Sequence, residues 1–554
     1  MTDNLVIYHL HSDNSLLDSC TGYKLYIDRA AELGQPAIAF SEHGKPLNWV
    51  KKKMYCDEKG IKYVHGVEIY LTESLNEKVR DNYHTVLIAR NEQGVKELNL
   101  AVSKSCDKDH FYYVNRLSFD EFLKLSNNII TTSACLASPL NKLPVDHPMY
   151  ESLVKRYDFL EIQAHDCQEQ RDFNVHLAEL AKKYSKSLIA GTDTHSLDKY
   201  KAECRKILLK YKNKSYGDED TYDLTYKSRE ELDAAFARQG VLPPELYRQA
   251  MDNTLVMADM VEPFELDASI KYPILYGSAE EDSRIETERV DRMFKEKLEA
   301  GIIPPEQEKG FRSALTEERR VFEKLGMSGF MLCMSELICW CKENNIPIGP
   351  GRGSVGGSRT AFVTDIIECN PEQWHTVFSR FCNEDRIEIG DIDIDCIETD
   401  RPKIFKYIIN RFGERKTARV PSFGTLQEKG TIKGIGNALA KYWEEEKTGV
   451  PFKPSDKFSL DNPYSLSNID EIISEFFADE QSARKNHPDI FQYYDGLLDT
   501  KISQSVHPAG IVISPITLDD AYGVFDKDGD LWLTVIPSLP YAVYALNSRV
   551  ALGN

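Results

Sequence analysis

His9-Leu-His11 places two imidazoles two residues apart in an extended run, so both face one side. Alone the pair is weak evidence, because two histidines at a strand end are often plain surface groups. Their companions carry more. Asp18 follows in Ser15-Leu-Leu-Asp18, His43 in Ser41-Glu-His-Gly44, and Glu68 lies inside the apolar run from Val64 to Leu71. His84 precedes the run Thr85–Ala89, Cys135 sits in Ser133-Ala-Cys-Leu136, and Asp193-Thr-His195 follows Leu188–Ala190. Imidazole, carboxylate and thiolate together suit Zn, Mn or Fe. Metals held this way generate hydroxide and neutralise phosphate charge, which is the chemistry of phosphoester hydrolysis. The alternative is a structural metal site that only stiffens its domain.

A second set lies further on. Residues 346–358 read Ile-Pro-Ile-Gly-Pro-Gly-Arg-Gly-Ser-Val-Gly-Gly-Ser, between an expected helix at Ser335–Lys342 and another after Ser358. Backbone N–H groups of such a loop can approach an anion closely, and Arg352 adds a planar cation for phosphate. A flexible linker looks similar, but this loop is bracketed by apolar elements. Then comes Ile389-Gly-Asp391-Ile-Asp393-Ile-Asp395, whose alternation predicts a strand with one acidic face. Carboxylates on one face repel unless cations separate them. Two divalent metals held there would suit phosphoryl transfer, with a solvent-facing edge strand as the bland alternative.

The elements that position these groups follow from periodicity. Residues 1–215 alternate short apolar strands (Asn4–Tyr8, Ala37–Phe40, Val64–Leu71, Thr85–Ala89, Asn128–Thr131, Phe159–Ile162, Leu188–Ala190) with longer polar helical stretches. That pattern predicts an α/β layer or barrel with a parallel sheet, and puts most candidate ligands at strand C-terminal ends. Residues 216–280 read as a connector, 281–424 as a mixed unit, and 425–500 as helix-rich. Residues 501–554 return to strand character, at Ala509–Ser514 and Leu531–Ile536.

Bulk properties bound the answer. A chain of 554 residues is too long for one ordinary domain. Hydrophobic residues make up 42% and aromatics 10%, enough for large packed cores. Lys and Arg total 68 against 88 Asp and Glu, a net charge of -20, which excludes a globally basic nucleic-acid surface but not local basic grooves. The 12 cysteines contain no CxxC pair, so reduced buried thiols are expected. No secretory signal and no apolar run of about 20 residues is seen, so no membrane partner is expected and the expected location is cytoplasmic.

The first set resembles the PHP domain, the polymerase and histidinol phosphatase superfamily. The resemblance implies nine ligands around a trinuclear cluster: His9, His11, Asp18, His43, Glu68, His84, Cys135, Asp193 and His195. Zn2+ or Mn2+ is the implied metal, and 3′–5′ exonuclease proofreading the implied activity. Glu42 departs from the family's usual Asp, at a position that is not a ligand.

The second set resembles the palm of bacterial family C DNA polymerases, the DNA polymerase III alpha subunits. Gly-Met-Ser-Gly-Phe-Met-Leu from residue 326, through Gly351-Arg352-Gly353-Ser354, follows the family's order. The resemblance assigns Gly351, Arg352, Gly353 and Ser354 to the nucleotide's phosphates, and Asp391 and Asp393 to two catalytic Mg2+ ions. Ser422-Phe-Gly-Thr and Ser505-Val-His-Pro-Ala-Gly510 match two further motifs, making Lys429, Lys433 and His507 candidate triphosphate or DNA contacts. The implied fold class is α/β: an N-terminal PHP (β/α)7-like barrel over 1–215, then a nucleotidyltransferase-type α+β palm (281–424 and 501–554) with a helical thumb over 425–500.

The implied function is DNA-directed synthesis from dNTPs on primer-template DNA. The family's third catalytic Asp has no counterpart after Asp530. The expectation is therefore a truncated or split polymerase, completed by a second polypeptide carrying the fingers and the third Asp. Replisome proteins such as a sliding clamp are further implied partners, and a bacteriophage origin is compatible with the compact length. A stand-alone PHP phosphoesterase and a non-catalytic DNA-binding replisome component stay open as alternatives.

Overall fold

The computed structural model describes residues 3–267, 272–383, 392–527 and 529–535, and the backbone of Tyr544–Ala545. The chain forms two compact units, Met1–Leu266 with Ser422–Ser505, and Asp267–Pro421 with Val506–Asn554.

The first unit is built on a seven-stranded sheet: β1 (Ala37–Phe40), β2 (Lys62–Thr72), β3 (Tyr83–Ala89), β4 (Arg116–Ser118), β5 (Ile129–Thr132), β6 (Phe159–Gln163) and β7 (Ser187–Gly191). The order is β1-β2-β3-β5-β6-β7, with β4 beside β2. β1 and β5 are buried along their whole length, as their unbroken Ala, Ile, Phe and Thr content requires of strands covered on both faces. Residues 5–11, expected to begin as a strand, form isolated bridges instead. Ile7 pairs with Ile38 and Leu10 with Thr194, so this segment runs between β1 and the chain just after β7.

The sheet is mixed, not parallel as expected. β3 runs antiparallel to both β2 and β5. Its connection from β2 is the helix-free loop 73–82, and only an antiparallel neighbour can be reached by so short a link. This reversal has a use. The N-terminal end of β3, with His84, reaches the same rim as the C-terminal ends of the parallel strands.

Residues 222–266 were expected to belong to a connector, but they complete the barrel's core. The helix Pro244–Asp259 lies on β7, and Met257, Ala258 and Val261 pack with Val6, Tyr8, Val64 and Ile189. Asn253 Nδ2 donates to the Leu188 carbonyl at 2.7 Å, and Thr254 Oγ1 accepts from the Val6 N–H at 3.0 Å.

The expected thumb is helical, and its core includes a barrel helix. Helices Glu428–Thr448, Leu466–Ala478 and Pro488–Leu497 bury Ile432, Ile435, Ile473 and Phe491 against Cys204, Ile207 and Leu208 of the helix Lys199–Lys212. Lys441 Nζ closes the end of that helix by donating to the carbonyls of Lys210 and Tyr211.

The second unit packs helices Ala279–Glu299, Glu308–Leu325 and Ser328–Glu343 around one apolar core that also takes in Ile392, Ile394, Ile511 and Ile513. The chain's other sheet has five strands, β8 (Thr417–Thr425), β9 (Lys501–Ile513), β10 (Val524–Lys527), β11 (Asp530–Leu533) and β12 (Tyr544–Ala545), in the order β10-β11-β8-β9-β12. Among the described residues no helix is long and apolar enough to cross a membrane.

Candidate metal centre and phosphate loop

Eight of the nine expected ligands converge into three overlapping groups. His11, Asp18, His43 and His195 form one, His9, His11 and Asp193 the second, and His43, Glu68 and His84 the third; within each, the ligand atoms lie within 4.8 Å of one another. The ninth, Cys135, stands beside the third group, its Sγ 3.5 Å from His84 Nδ1 and 3.8 Å from Glu68 Oε1. Glu68 sits at the centre. One of its oxygens lies 3.4 Å from His9 Nε2 and 2.9 Å from His84 Nδ1, and the other 3.4 Å from His11 Nε2 and 3.0 Å from His43 Nδ1. Asp193 Oδ1 is shared by His9 and His11, at 3.3 and 3.2 Å.

The backbone is bent to aim these groups. Leu17, Ala134 and Asp193 have φ of 67°, 58° and 45°. Such values are costly for residues with a Cβ and concentrate at functional sites. Two of them immediately precede Asp18 and Cys135, and the third is itself in the set.

The groups fit a cation cluster. Nε2 of His9, His11 and His195, Nδ1 of His43, Oδ2 of Asp18 and Oε2 of Glu68 are buried without a hydrogen-bond partner among the described residues. Opposing oxygens are close, but they are not aligned as donor and acceptor. Buried polar atoms are normally satisfied, so six orphans around one space mark a place for something they could bind.

The electrostatics agree. Burial opposes ionisation of Glu68, yet the imidazoles of His84, His43 and His9 hold it well below the usual carboxylate range. Burial likewise opposes charge on His43, but Glu68 and Asp18 push it up to about 10, while burial and the neighbouring His43 and His195 push His11 down to about 4. Burial and the charges of Glu68 and Asp193 push the Cys135 thiol up, so a thiolate ligand there needs a cation beside it.

Further groups, outside the nine, hold the candidate ligands in place. Glu161, buried in β6, accepts from His9 Nδ1 at 2.6 Å, which turns His9 Nε2 toward the cluster. Thr132 Oγ1 and Gln163 Nε2 donate to the same carboxylate, at 2.9 and 2.8 Å. In sequence Glu161 shows only as a lone acid inside the apolar run Phe159–Ile162. His195 Nδ1 lies 2.8 Å from the Asp193 carbonyl, and Arg205 binds both Asp18 and Glu219. Glu42, set aside as a non-ligand, accepts from Lys52 and from Ser12 and Ser15, and so braces the loop between His11 and Asp18.

In the second unit the glycine loop and the aspartate run are brought together. Arg352 and Asp393 form an antiparallel bridge, as do Ile348 and Cys396. Gly351 and Gly353 have φ of 95° and 102°, and a Cβ at Gly351 would fall 2.5 Å from Ile367 Cγ2. Ser354 opens a 3₁₀ turn to Gly357, and the expected helix after Ser358 is the short Arg359–Val363, capped by Ser358.

Arg352 was expected to meet phosphate, but its guanidinium pairs with Asp393 and, at 3.2 Å, with Asp395. Asp391 lies outside the described residues. The expected strand is limited among the described residues to single bridges, and they form no three-ligand group here. Lys429 is exposed, Lys433 pairs with Asp470 at 3.1 Å, and both belong to the first unit. His507 is exposed on β9.

Residues 8–165 match the PHP domain. Residues 288–535 match the bacterial DNA polymerase III alpha NTPase domain. Both domains are matched in this order, and the chain is similar to DNA polymerase III alpha subunits. The DNA polymerase III subunit alpha of Aquifex aeolicus is 27% identical over 96% of this chain and 49% of its own length. That of Borreliella burgdorferi is 28% identical over 92% and 45%, and that of Treponema pallidum 27% over 93% and 44%. The chain thus spans about half the length of the curated relatives it matches.

Proposed function

We propose that this chain serves DNA synthesis of the DNA polymerase III alpha kind and carries a metal-dependent phosphodiesterase in its first unit, acting on DNA 3′ ends. The observation that carries the hydrolytic half is the convergence of the ligand groups, with six orphaned buried atoms facing a common space. Zn2+ or Mn2+ suits the donor set. When bound, these ions would lower the pKa of water and offset phosphate charge. The chain's own residues do the rest. Glu161 fixes the proton on His9 Nδ1, Arg205 anchors Asp18, and Glu68 spans the three groups.

The polymerising half is supported by the matched NTPase domain and by the approach of the glycine loop to Asp393. Gly353 and Ser354 would offer N–H groups to a dNTP triphosphate. Asp391 and Asp393 would hold Mg2+, which requires Arg352 to leave Asp393. Primer-template DNA, dNTPs and replisome proteins such as a sliding clamp are the partners this reading requires.

The test is release of labelled nucleotides from a DNA 3′ end by protein loaded with Mn2+ or Zn2+, with metal content measured in parallel. His9→Ala with His11→Ala should remove both bound metal and release. Release that survives the double substitution would assign it to another site. For synthesis, Asp393→Asn should abolish Mg2+-dependent primer extension by an assembly containing this chain.

A further inference from the structure

A cavity of about 250 Å³ opens in the first unit beside the metal-ligand groups. Its walls come from three places: the chain after β6 (His165 to Cys167), the end of β7 and the residue after it (Gly191 and Thr192), and the segment from Thr221 to Arg238. Thr192 directly precedes Asp193, so the cavity adjoins the ligand set through the backbone.

His165 is the group in it without an assigned task. Its side chain belongs to a residue only 8% exposed, and its Nε2 has no hydrogen-bond partner among the described residues. The ring stacks on Tyr222, with centroids 5.0 Å apart and planes 16° from parallel. Burial keeps the imidazole neutral, lowering it to about 4. A neutral ring nitrogen, held by stacking and left unsatisfied, is a hydrogen-bonding group waiting for a polar partner.

The rest of the lining suggests what that partner is attached to. Leu232 and Ala235 give an apolar wall, whereas Asp223 and Thr192 offer polar atoms. Arg238 brings positive charge to the lining from an exposed position. Lys227 is already committed, donating to the carbonyls of Asp223 and Thr225 at 2.9 and 3.1 Å, and so belongs to the wall. An apolar wall, a stacked aromatic pair and a few convergent polar atoms beside a phosphate-handling centre suit a small flat group bearing hydrogen-bonding edges.

We propose that this cavity is the subsite for the nucleoside of the terminal nucleotide, with His165 Nε2 hydrogen-bonding its base or sugar while the phosphate lies on the metal-ligand groups. The inference rests on the hydrolase reading above. His165 is a specificity residue here, not a ligand. Gly191 serves both sites, because a Cβ there would fall 2.0 Å from Glu161 Oε1.

The test is calorimetric binding to the full chain loaded with Mn2+, using dAMP and inorganic phosphate as probes. The wild-type chain should bind dAMP more tightly than phosphate. His165→Ala should weaken dAMP about 10-fold, the worth of one hydrogen bond to a buried group. Ala235→Leu, which fills the cavity without removing a polar atom, should do the same, and covers the case in which His165→Ala does not fold. The phosphate constant should hold in both variants.

Equal weakening of dAMP and phosphate would make His165 a support of the metal ligands and overturn the subsite. So would a wild-type chain that binds phosphate but shows no preference for dAMP. A chain that takes up Mn2+ and binds neither probe would overturn the hydrolase reading, and this inference with it.

Discussion

At the scale of single residues, most of the candidate ligand set is legible because its members stand at the ends of apolar runs. His9, His43, Asp193 and His195 follow apolar runs and His84 precedes one, so a barrel rim can collect them. Glu161 escaped because an acid inside Phe159-Leu-Glu-Ile162 reads as a strand's outer face. In the structure it is buried and bonded to His9. Glu161→Gln should therefore lower metal affinity about 10- to 100-fold, as loss of a ligand's hydrogen-bonded partner does elsewhere. Metal retention after dialysis checks this, and unchanged retention would mean that His9 is oriented by something else. Glu286 makes a separate prediction. Burial, reinforced by Glu323 and Glu318, raises it from 4.5 to about 7. Between those values the native state keeps a proton that the unfolded state gives up, so stability falls as pH rises through that window. The loss approaches about 3 kcal/mol. Urea midpoints at pH 5 and pH 8 should differ less in Glu286→Gln than in the wild type, and equal differences would refute the shift.

At the scale of elements, alternation and glycine content find most strands and the phosphate loop, but not strand direction. β3 runs antiparallel because loop 73–82 holds no crossover helix, and a short loop can be read from sequence only once both strands are placed. The glycine loop shows the opposite case, where composition already contains the geometry. A Cβ on Gly357 would fall 2.4 Å from the Val377 carbonyl oxygen, a backbone atom that cannot swing aside. Glu318 fixes the next residues by accepting from Ser358 Oγ and from the N–H groups of Arg359 and Thr360. Held from both sides, the turn has little room to relax. Gly357→Ala should cost about 1–3 kcal/mol, the range for overpacking, and lower the second unit's melting temperature. A wild-type melting curve would show that the turn opens freely.

At the scale of the whole molecule, the expectation of successive domains fails in one instructive way. Residues 422–505 are far along the chain, yet they count with residues 1–266 as one compact unit. Sequence patterns show that the helix Lys199–Lys212 has an apolar side, but they do not show which distant helices cover it. In the structure Cys204, Ile207 and Leu208 are buried against Ile432, Ile435 and Tyr494, and Lys441 caps that helix's carbonyls. Each large aliphatic side chain buried this way contributes about 1.5–3 kcal/mol. A fragment ending at residue 266 would therefore expose an apolar face and lose several kcal/mol, even though it contains all nine candidate ligands of the first unit. It should melt lower than the full chain's first unit and self-associate on size exclusion. Co-expression with residues 422–505 should restore a one-to-one complex with the higher melting temperature. If the fragment alone is monomeric and melts with the full chain, the two segments are independent domains that merely touch.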